Sequence, residues 1–394
     1  MRATRAIIHL SHLRHNIGLI RDHVRRTSPQ RPPRLCVAVK ADAYGHGIVE
    51  IGRAAVEEGV EYLAVATIEE AVILRDAAVS VPVLVYSLPI PEELSAIVEY
   101  GLSPLVGDRE LVVKLAAEAK KRGRRVPVHI KIDTGMGRIG CRPAEAPELA
   151  AAVQESPWLH LEGMSTHFPV SDIADRTFTL EQVRIFEEAA AKTRQKGINP
   201  GILSAANSGA ALASPEAYFD MVRPGILVYG YYPSEEQERI LPVKPVMELE
   251  SRIVFVKSVP AGTGISYGLT HHTDRATYIG TVPIGYADGY SRLLSNRSRV
   301  LVNGRSVPVV GRICMDQCMI DLGAVPAAKL YDRVVLFGHD PAGPDAEELS
   351  RTIGTIPYEV TCGVSKRVPR VYPTEDAPST VTTAAAAETR AAKD

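Results

Sequence analysis

Between residues 35 and 222, eight short apolar runs alternate with stretches long enough to return the chain to the start of each run. The runs cover 35–40, 62–66, 83–86, 104–106, 128–132, 161–166, 202–205 and 220–222. Between them lie helical patterns such as 68–77, 109–121, 143–154 and 180–196. Parallel strands need crossovers of about a dozen residues or more, and strands buried on both faces read as unbroken apolar runs. Eight such units predict a TIM-type (β/α)8 barrel, ahead of an open doubly wound sheet. No G-x-G-x-x-G follows the first run, which weakens a dinucleotide site.

Beyond residue 242 the helical period fades. Short Val/Ile runs broken by Gly, Pro and Asn take over at 247–259, 276–283, 299–302, 306–310, 319–322 and 333–337. They predict a mainly β-stranded C-terminal domain. The expected divisions are a strand within 1–10 that pairs with this second domain, a barrel over 11–240, the β-rich domain over 241–373, and a disordered tail over 374–394. The first helix is expected at 11–26, with Ser11 as its N-cap.

Composition excludes several classes of function. The chain of 394 residues is 45% hydrophobic and 23% charged, with net charge -1 and pI near 6.8. That balance argues against a nucleic-acid or membrane surface. The opening MRATRAIIHL has too short an apolar run for a signal peptide, and no stretch approaches the ~20 apolar residues of a membrane span, so a cytoplasmic location is expected. Five scattered cysteines make no disulfide framework, and Cys314 and Cys318, spaced C-x3-C without a second pair, read as free thiols rather than metal ligands.

The chemistry collects where barrel strands end. Lys40 closes the first run, ahead of a turn holding Gly45 and Gly47. Arg138 follows the fifth run, His167 the sixth, Asn207-Ser208-Gly209 the seventh and Arg223-Pro224-Gly225-Ile226 the eighth. All face one mouth of a barrel, where the loops after strands seven and eight commonly bind phosphate. A lysine opposite a phosphate site is the minimum equipment for pyridoxal 5'-phosphate (PLP).

The wording of these segments goes further. VAVKADAYGHG at 37–47 resembles, almost letter for letter, the cofactor-lysine motif of bacterial alanine racemases. The resemblance extends over KIDTGMGRIG (131–140), STHF (165–168), ANS (206–208), RPGI (223–226), GISYG (264–268), GYADG (285–289), GRICMD (311–316) and IPYE (356–359), in order, from about Thr4 to Tyr372. It implies a homodimeric, PLP-dependent fold-type III enzyme that interconverts L- and D-alanine by two bases and supplies D-alanine for peptidoglycan.

Carried over residue by residue, Lys40 holds PLP covalently and serves one face of Cα, while Tyr267 of the other subunit serves the opposite face. Tyr44, Ser208, Tyr358 and the backbone of Gly225 and Ile226 take the phosphate, with His167 and Asn207 beside the cofactor. Arg223 meets the pyridine nitrogen; a guanidinium that never deprotonates can only donate to an unprotonated nitrogen, which moderates the electron sink. An ordinary phenol, titrating near ~10, is a poor base, and a relay from Arg223 through His167 would lower it. Arg138 contacts the cofactor's phenolic oxygen and the substrate carboxylate, the latter shared with Met315; Lys131, carbamylated, and Asp316 support them. Asp172, Tyr286, Arg292, Arg312 and Ile356 resemble an entrance gate. The resemblance implies no metal. A broader racemase acting on serine also fits. A same-fold PLP decarboxylase is opposed by Arg223 and by the lack of a Gly-rich phosphate run, and a lone-barrel PLP binder by the β domain.

Overall fold

The computed structural model describes residues 2–373; the expected tail at 374–394 lies outside the described residues. After β1 (Arg5–Ile8) come eight strands in one parallel sheet: β2 (Arg34–Ala38), β3 (Tyr62–Val65), β4 (Val83–Val85), β5 (Ser103–Val106), β6 (Val126–Lys131), β7 (Leu159–Ser165), β8 (Ile202–Ser204) and β9 (Met221–Val222). Their spatial order, β8-β7-β6-β5-β4-β3-β2-β9, is that of a nearly closed barrel. The remaining seam between β8 and β9 is bridged by Asp220 N–H donating to Leu203 O (3.0 Å) and Arg223 N–H donating to Ala206 O (2.8 Å). These strands are mostly apolar and buried, as a parallel sheet covered on both faces requires, with polar exceptions such as Ser103, His129, Lys131 and Glu162.

Helices cover the outside by burying one stripe each. In Leu10–Thr27 the buried side chains include Leu13, Ile17, Ile20 and Val24, spaced three or four apart. Helix Ile68–Asp76 starts at a capping box, Thr67 with Glu70, and Arg109–Arg122 at the Asp108 carboxylate, which accepts from Leu111 N at 2.8 Å. The first helix departs from expectation: it begins at Leu10 with His9 at the cap position, so Ser11 is already inside it. β1 sets this start, because its last pair, Ile8 with Met247, leaves a single residue of turn.

The second domain is a nine-stranded sheet. Its order is Phe255–Val259, Thr277–Val282, Cys318–Asp321, Arg305–Val310, Arg299–Val302, Arg333–Phe337, Met247–Arg252, β1 and Arg370–Val371. The run expected at 247–259 is two strands, because Met247–Arg252 pairs with Arg333–Phe337 whereas Phe255–Val259 pairs with Thr277–Val282. β1 lies inside this sheet, antiparallel to Met247–Arg252 and parallel to Arg370–Val371. Two helices unforeseen in a β-rich segment, Ala346–Ile353 and Pro357–Cys362, complete it, and the second carries Tyr358 to the barrel mouth. Both cysteines of the C-x3-C pair are free thiols. No described helix is long and apolar enough to cross a membrane.

Candidate active site

Two residues beyond β2, the chain makes a turn of the wrong hand. Ala41, Asp42, Ala43 and Tyr44 all have φ between 53° and 55°, a left-handed turn that closes on Gly45 and Gly47. Each non-glycine residue costs roughly 1–2 kcal/mol there, so the turn persists only because its surroundings hold it. Glu70 accepts from Ala41 N (2.6 Å), and Asp42 accepts from Ile48 N (2.8 Å). From the second domain, Arg370 donates to Gly45 O (2.9 Å) and Tyr372 to His46 O (3.0 Å). A Cβ at Gly45 would lie 2.3 Å from Thr361 O, and one at Gly47 1.9 Å from the Tyr372 hydroxyl, so both glycines are required by close packing as well as by φ.

The turn puts Lys40 and Tyr44 into a cavity of about 710 Å³ at the barrel mouth. Lys131, Arg138, His167, Asp172, Asn207, Ser208, Arg223, Gly225, Ile226 and Tyr358 also line it. Tyr44 stacks on Tyr229 (4.6 Å between ring centres) and lies 5.8 Å from the Tyr358 ring. Its hydroxyl approaches so near that a Cβ at Gly225 would lie 2.4 Å from it. Ser208 Oγ accepts from Gly225 N at 2.8 Å, joining the loops after β8 and β9. Asn207 lines the cavity and also caps helix Ser208–Ala213: its amide oxygen accepts from Ala210 N (3.1 Å) and Ser171 Oγ (2.7 Å), which holds Ser208 in place.

Cations dominate this cavity. Arg223 is buried and donates to Thr166 O (2.6 Å), Ala205 O (3.2 Å) and Ser204 Oγ, with no carboxylate partner among the described residues. Among the described residues Asp133 makes no ion pair with Arg138; its carboxylate accepts from Gly135 N (2.9 Å) and Gly137 N (3.0 Å). Burial, then the nearby Arg138, lowers the Lys40 amine below the usual lysine range. Lys131 is buried, donates to Ile132 O (3.0 Å), and is lowered by burial and by Arg223 to about 7. Burial, then Arg223, Lys131, Arg138 and Lys40, hold His167 well below 6.5, so its imidazole is neutral. An excess of fixed positive charge with a readily deprotonated lysine suits a small polyanion carrying an electrophile.

The other expected residues lie elsewhere on the same chain. Tyr267 (70% exposed), Met315 (53%) and Tyr286 (43%) stand on the second domain, outside this cavity, with Arg292 and Arg312. They share one set of loops: Ser266 Oγ donates to Arg312 O (2.6 Å), Tyr286 N to Cys314 O (3.1 Å) and Ala287 N to Met315 O (3.0 Å). Asp316 is bound to Arg367 (2.8 Å). Ile356, half exposed, precedes the helix that carries Tyr358. Sequence reading missed Tyr86, just past β4, whose ring has Arg223 over it at 6.0 Å, and Glu70, which braces the turn. A tyrosine at a barrel strand's carboxyl end was the available signal for the first.

Comparison with known proteins accounts for both domains. The family model described as alanine racemase, N-terminal domain, matches residues 8–233, and that for the C-terminal domain matches 246–372. The chain belongs to the alanine racemase family. The alanine racemase of Treponema denticola is 46% identical over 94% of this chain and 98% of its own length. The solved alanine racemase of Clostridium difficile superposes with a TM-score of 0.89 at 37% identity, covering 95% of this chain and 96% of that one. That of Bacillus anthracis, crystallised with bound L-Ala-P, gives 0.87 at 34% identity, covering 95% and 96%. In this family the barrel-plus-β architecture is shared across the whole length, and membership implies PLP.

The residues present fit that cofactor. Gly225 leaves the space that any Cβ would fill against Tyr44, and the lining supplies two amines of lowered pKa, hydroxyls, backbone N–H groups and two guanidinium groups without carboxylate partners among the described residues.

Proposed function

We propose that this chain is a PLP-dependent racemase of alanine that works as a homodimer with shared sites. One observation carries the reading: Lys40 lies with Arg138, Arg223 and His167 in the barrel cavity, while Tyr267 and Met315 stand exposed on the second domain. A two-fold pair would bring each exposed patch to the other subunit's cavity and build two equal composite sites.

PLP, when bound, supplies the electron sink that lets a Cα proton leave. Lys40 would hold it covalently and would take or give the proton on one face of Cα; its lowered pKa keeps a neutral fraction for that work. The partner's Tyr267 handles the proton on the opposite face. Tyr44, Ser208, Tyr358, Gly225 and Ile226 hold the phosphate. Arg223, locked onto Thr166 and Ala205 carbonyls, donates to the pyridine nitrogen and cannot protonate it. Arg138 and the Met315 backbone hold the substrate carboxylate. Lys131 as its carbamate supplies the anion that Asp133, occupied by Gly135 and Gly137, does not. Asp172, Tyr286, Arg292, Arg312 and Ile356 form the entrance, and D-alanine for the cell wall is the product.

Purified protein should form D-alanine from L-alanine, and Lys40→Ala should abolish both this activity and borohydride fixation of PLP. The inactive Lys40→Ala and Tyr267→Ala chains, unfolded together and refolded as a mixture, should recover about a quarter of wild-type activity, since random pairing makes half the dimers mixed, each with one intact site. No recovery with mixed dimers present would place both bases in one chain.

A further inference from the structure

Away from the cavity, three histidines and a buried carboxylate meet at the junction of the two domains. His9 precedes helix Leu10–Thr27, Glu248 belongs to strand Met247–Arg252, and His339 follows strand Arg333–Phe337 after one glycine. One ligand atom from each of the three lies within 4.8 Å of the others. His9 Nε2 is buried and meets no hydrogen-bond partner. His339 Nδ1 stands 3.6 Å from Glu248 Oε2, too far for a hydrogen bond. His12 stacks on His9 (4.9 Å) and meets His339 edge-on (5.0 Å), while its Nδ1 donates to Pro245 O (2.8 Å). Three imidazoles crowded with a carboxylate, one of them with a buried ring nitrogen that meets no partner, are poorly explained as packing.

We propose that His9, Glu248 and His339 bind one divalent ion of the zinc class and so staple the start of the barrel to the sheet of the second domain. Two imidazoles and one carboxylate are the donor set that zinc and cobalt(II) accept with a water in the fourth position. Ligand atoms about 2.0–2.1 Å from a tetrahedral ion lie about 3.3 Å apart, so groups already within 4.8 Å close on it by side-chain rotation. The half-exposed His339 leaves an entry path. Glu248 Oε1 is engaged by Arg333, which leaves Oε2 for the ion. None of these residues lines the barrel cavity, and binding is therefore readable apart from activity.

The test uses full-length holoenzyme freed of metal with a chelator. Equilibrium dialysis against zinc should leave one ion per chain, and about a hundredfold excess over Kd should raise the unfolding midpoint by about 3 °C. Cobalt(II) should give visible d–d bands of a tetrahedral N/O site. His9→Ala and His339→Ala should each weaken binding at least tenfold and remove those bands, with the metal-free midpoint as the check on folding. The control pair His271→Ala and His272→Ala, on a separate hairpin, should change neither. Binding that survives the His9 and His339 variants, or wild-type protein that shows no d–d bands at equimolar cobalt, would overturn the site.

Discussion

An amine held near neutrality is a nucleophile toward carbon dioxide as well as a base, and the buried Lys131 is such an amine. Its folded pKa, about 7, lies below its ordinary 10.5, so between those values the unfolded chain binds a proton that the folded chain does not. Stability from this group therefore rises with pH through that window. In CO2-free buffer, wild type should gain stability over Lys131→Met from pH 7 to 10, measured by urea midpoints. Bicarbonate should raise the wild type's advantage and carry its pH-dependent rise below pH 7, because carbamylation releases a proton and holds the folded group without the one the unfolded lysine keeps; a difference unaffected by bicarbonate would leave Lys131 a plain lysine. Arg223 gives a second prediction. Arg223→Glu should cut racemisation at least a hundredfold and raise the ratio of pyruvate to D-alanine, because a carboxylate at the pyridine nitrogen deepens the electron sink. An unchanged ratio would reduce Arg223 to a positioning group. The variant should also lose stability, since Thr166 and Ala205 carbonyls lose their donor.

The left-handed turn after β2 is costly in its own right. Ala41 is exposed, with φ of 53°, and its side chain is not buried against the core, so Ala41→Gly should stabilise the fold by about 1 kcal/mol, read from thermal or urea unfolding. Loss of stability would mean that the methyl group makes contacts outweighing the strain. This turn also marks where sequence reading stopped. The barrel was legible because buried parallel strands leave apolar runs whose spacing is imposed by their crossover helices. Nothing in Ala-Asp-Ala-Tyr announces four left-handed residues, because the cause lies in Glu70, Thr361, Arg370 and Tyr372, far along the chain. Ser11 misled for a related reason: a good capping residue was overruled by the end of β1. Lys40, Arg138, His167, Ser208 and Arg223 could be gathered at one mouth from strand order alone. The capping bond of Asn207 was not legible, since a cap and a binding amide look the same in sequence.

At the scale of the molecule, the second domain reaches into the barrel's chemistry from behind. Tyr372→Phe, which removes one bond to His46 O, should cost about 0.5–1.5 kcal/mol in stability with an unchanged urea m-value, and should loosen PLP retention through the Lys40 turn. Retention equal to wild type would show that the turn is held adequately by Glu70 and Arg370. The same architecture sets a timetable for synthesis. Ile8 pairs with Met247, 239 residues later, and Ala6 with Arg370, 364 residues later. At about 5–20 residues per second, β1 leaves the ribosome roughly 20 to 70 s before both its neighbours exist. A nascent chain halted near residue 240 therefore carries its barrel strands but has no sheet to receive β1, and residues 2–9 should be cut readily by protease. In the same chain halted past residue 373 outside the exit tunnel, they should resist. The first strand made is thus among the last to find its place, and the lysine turn that Arg370 and Tyr372 hold is finished in that same late step.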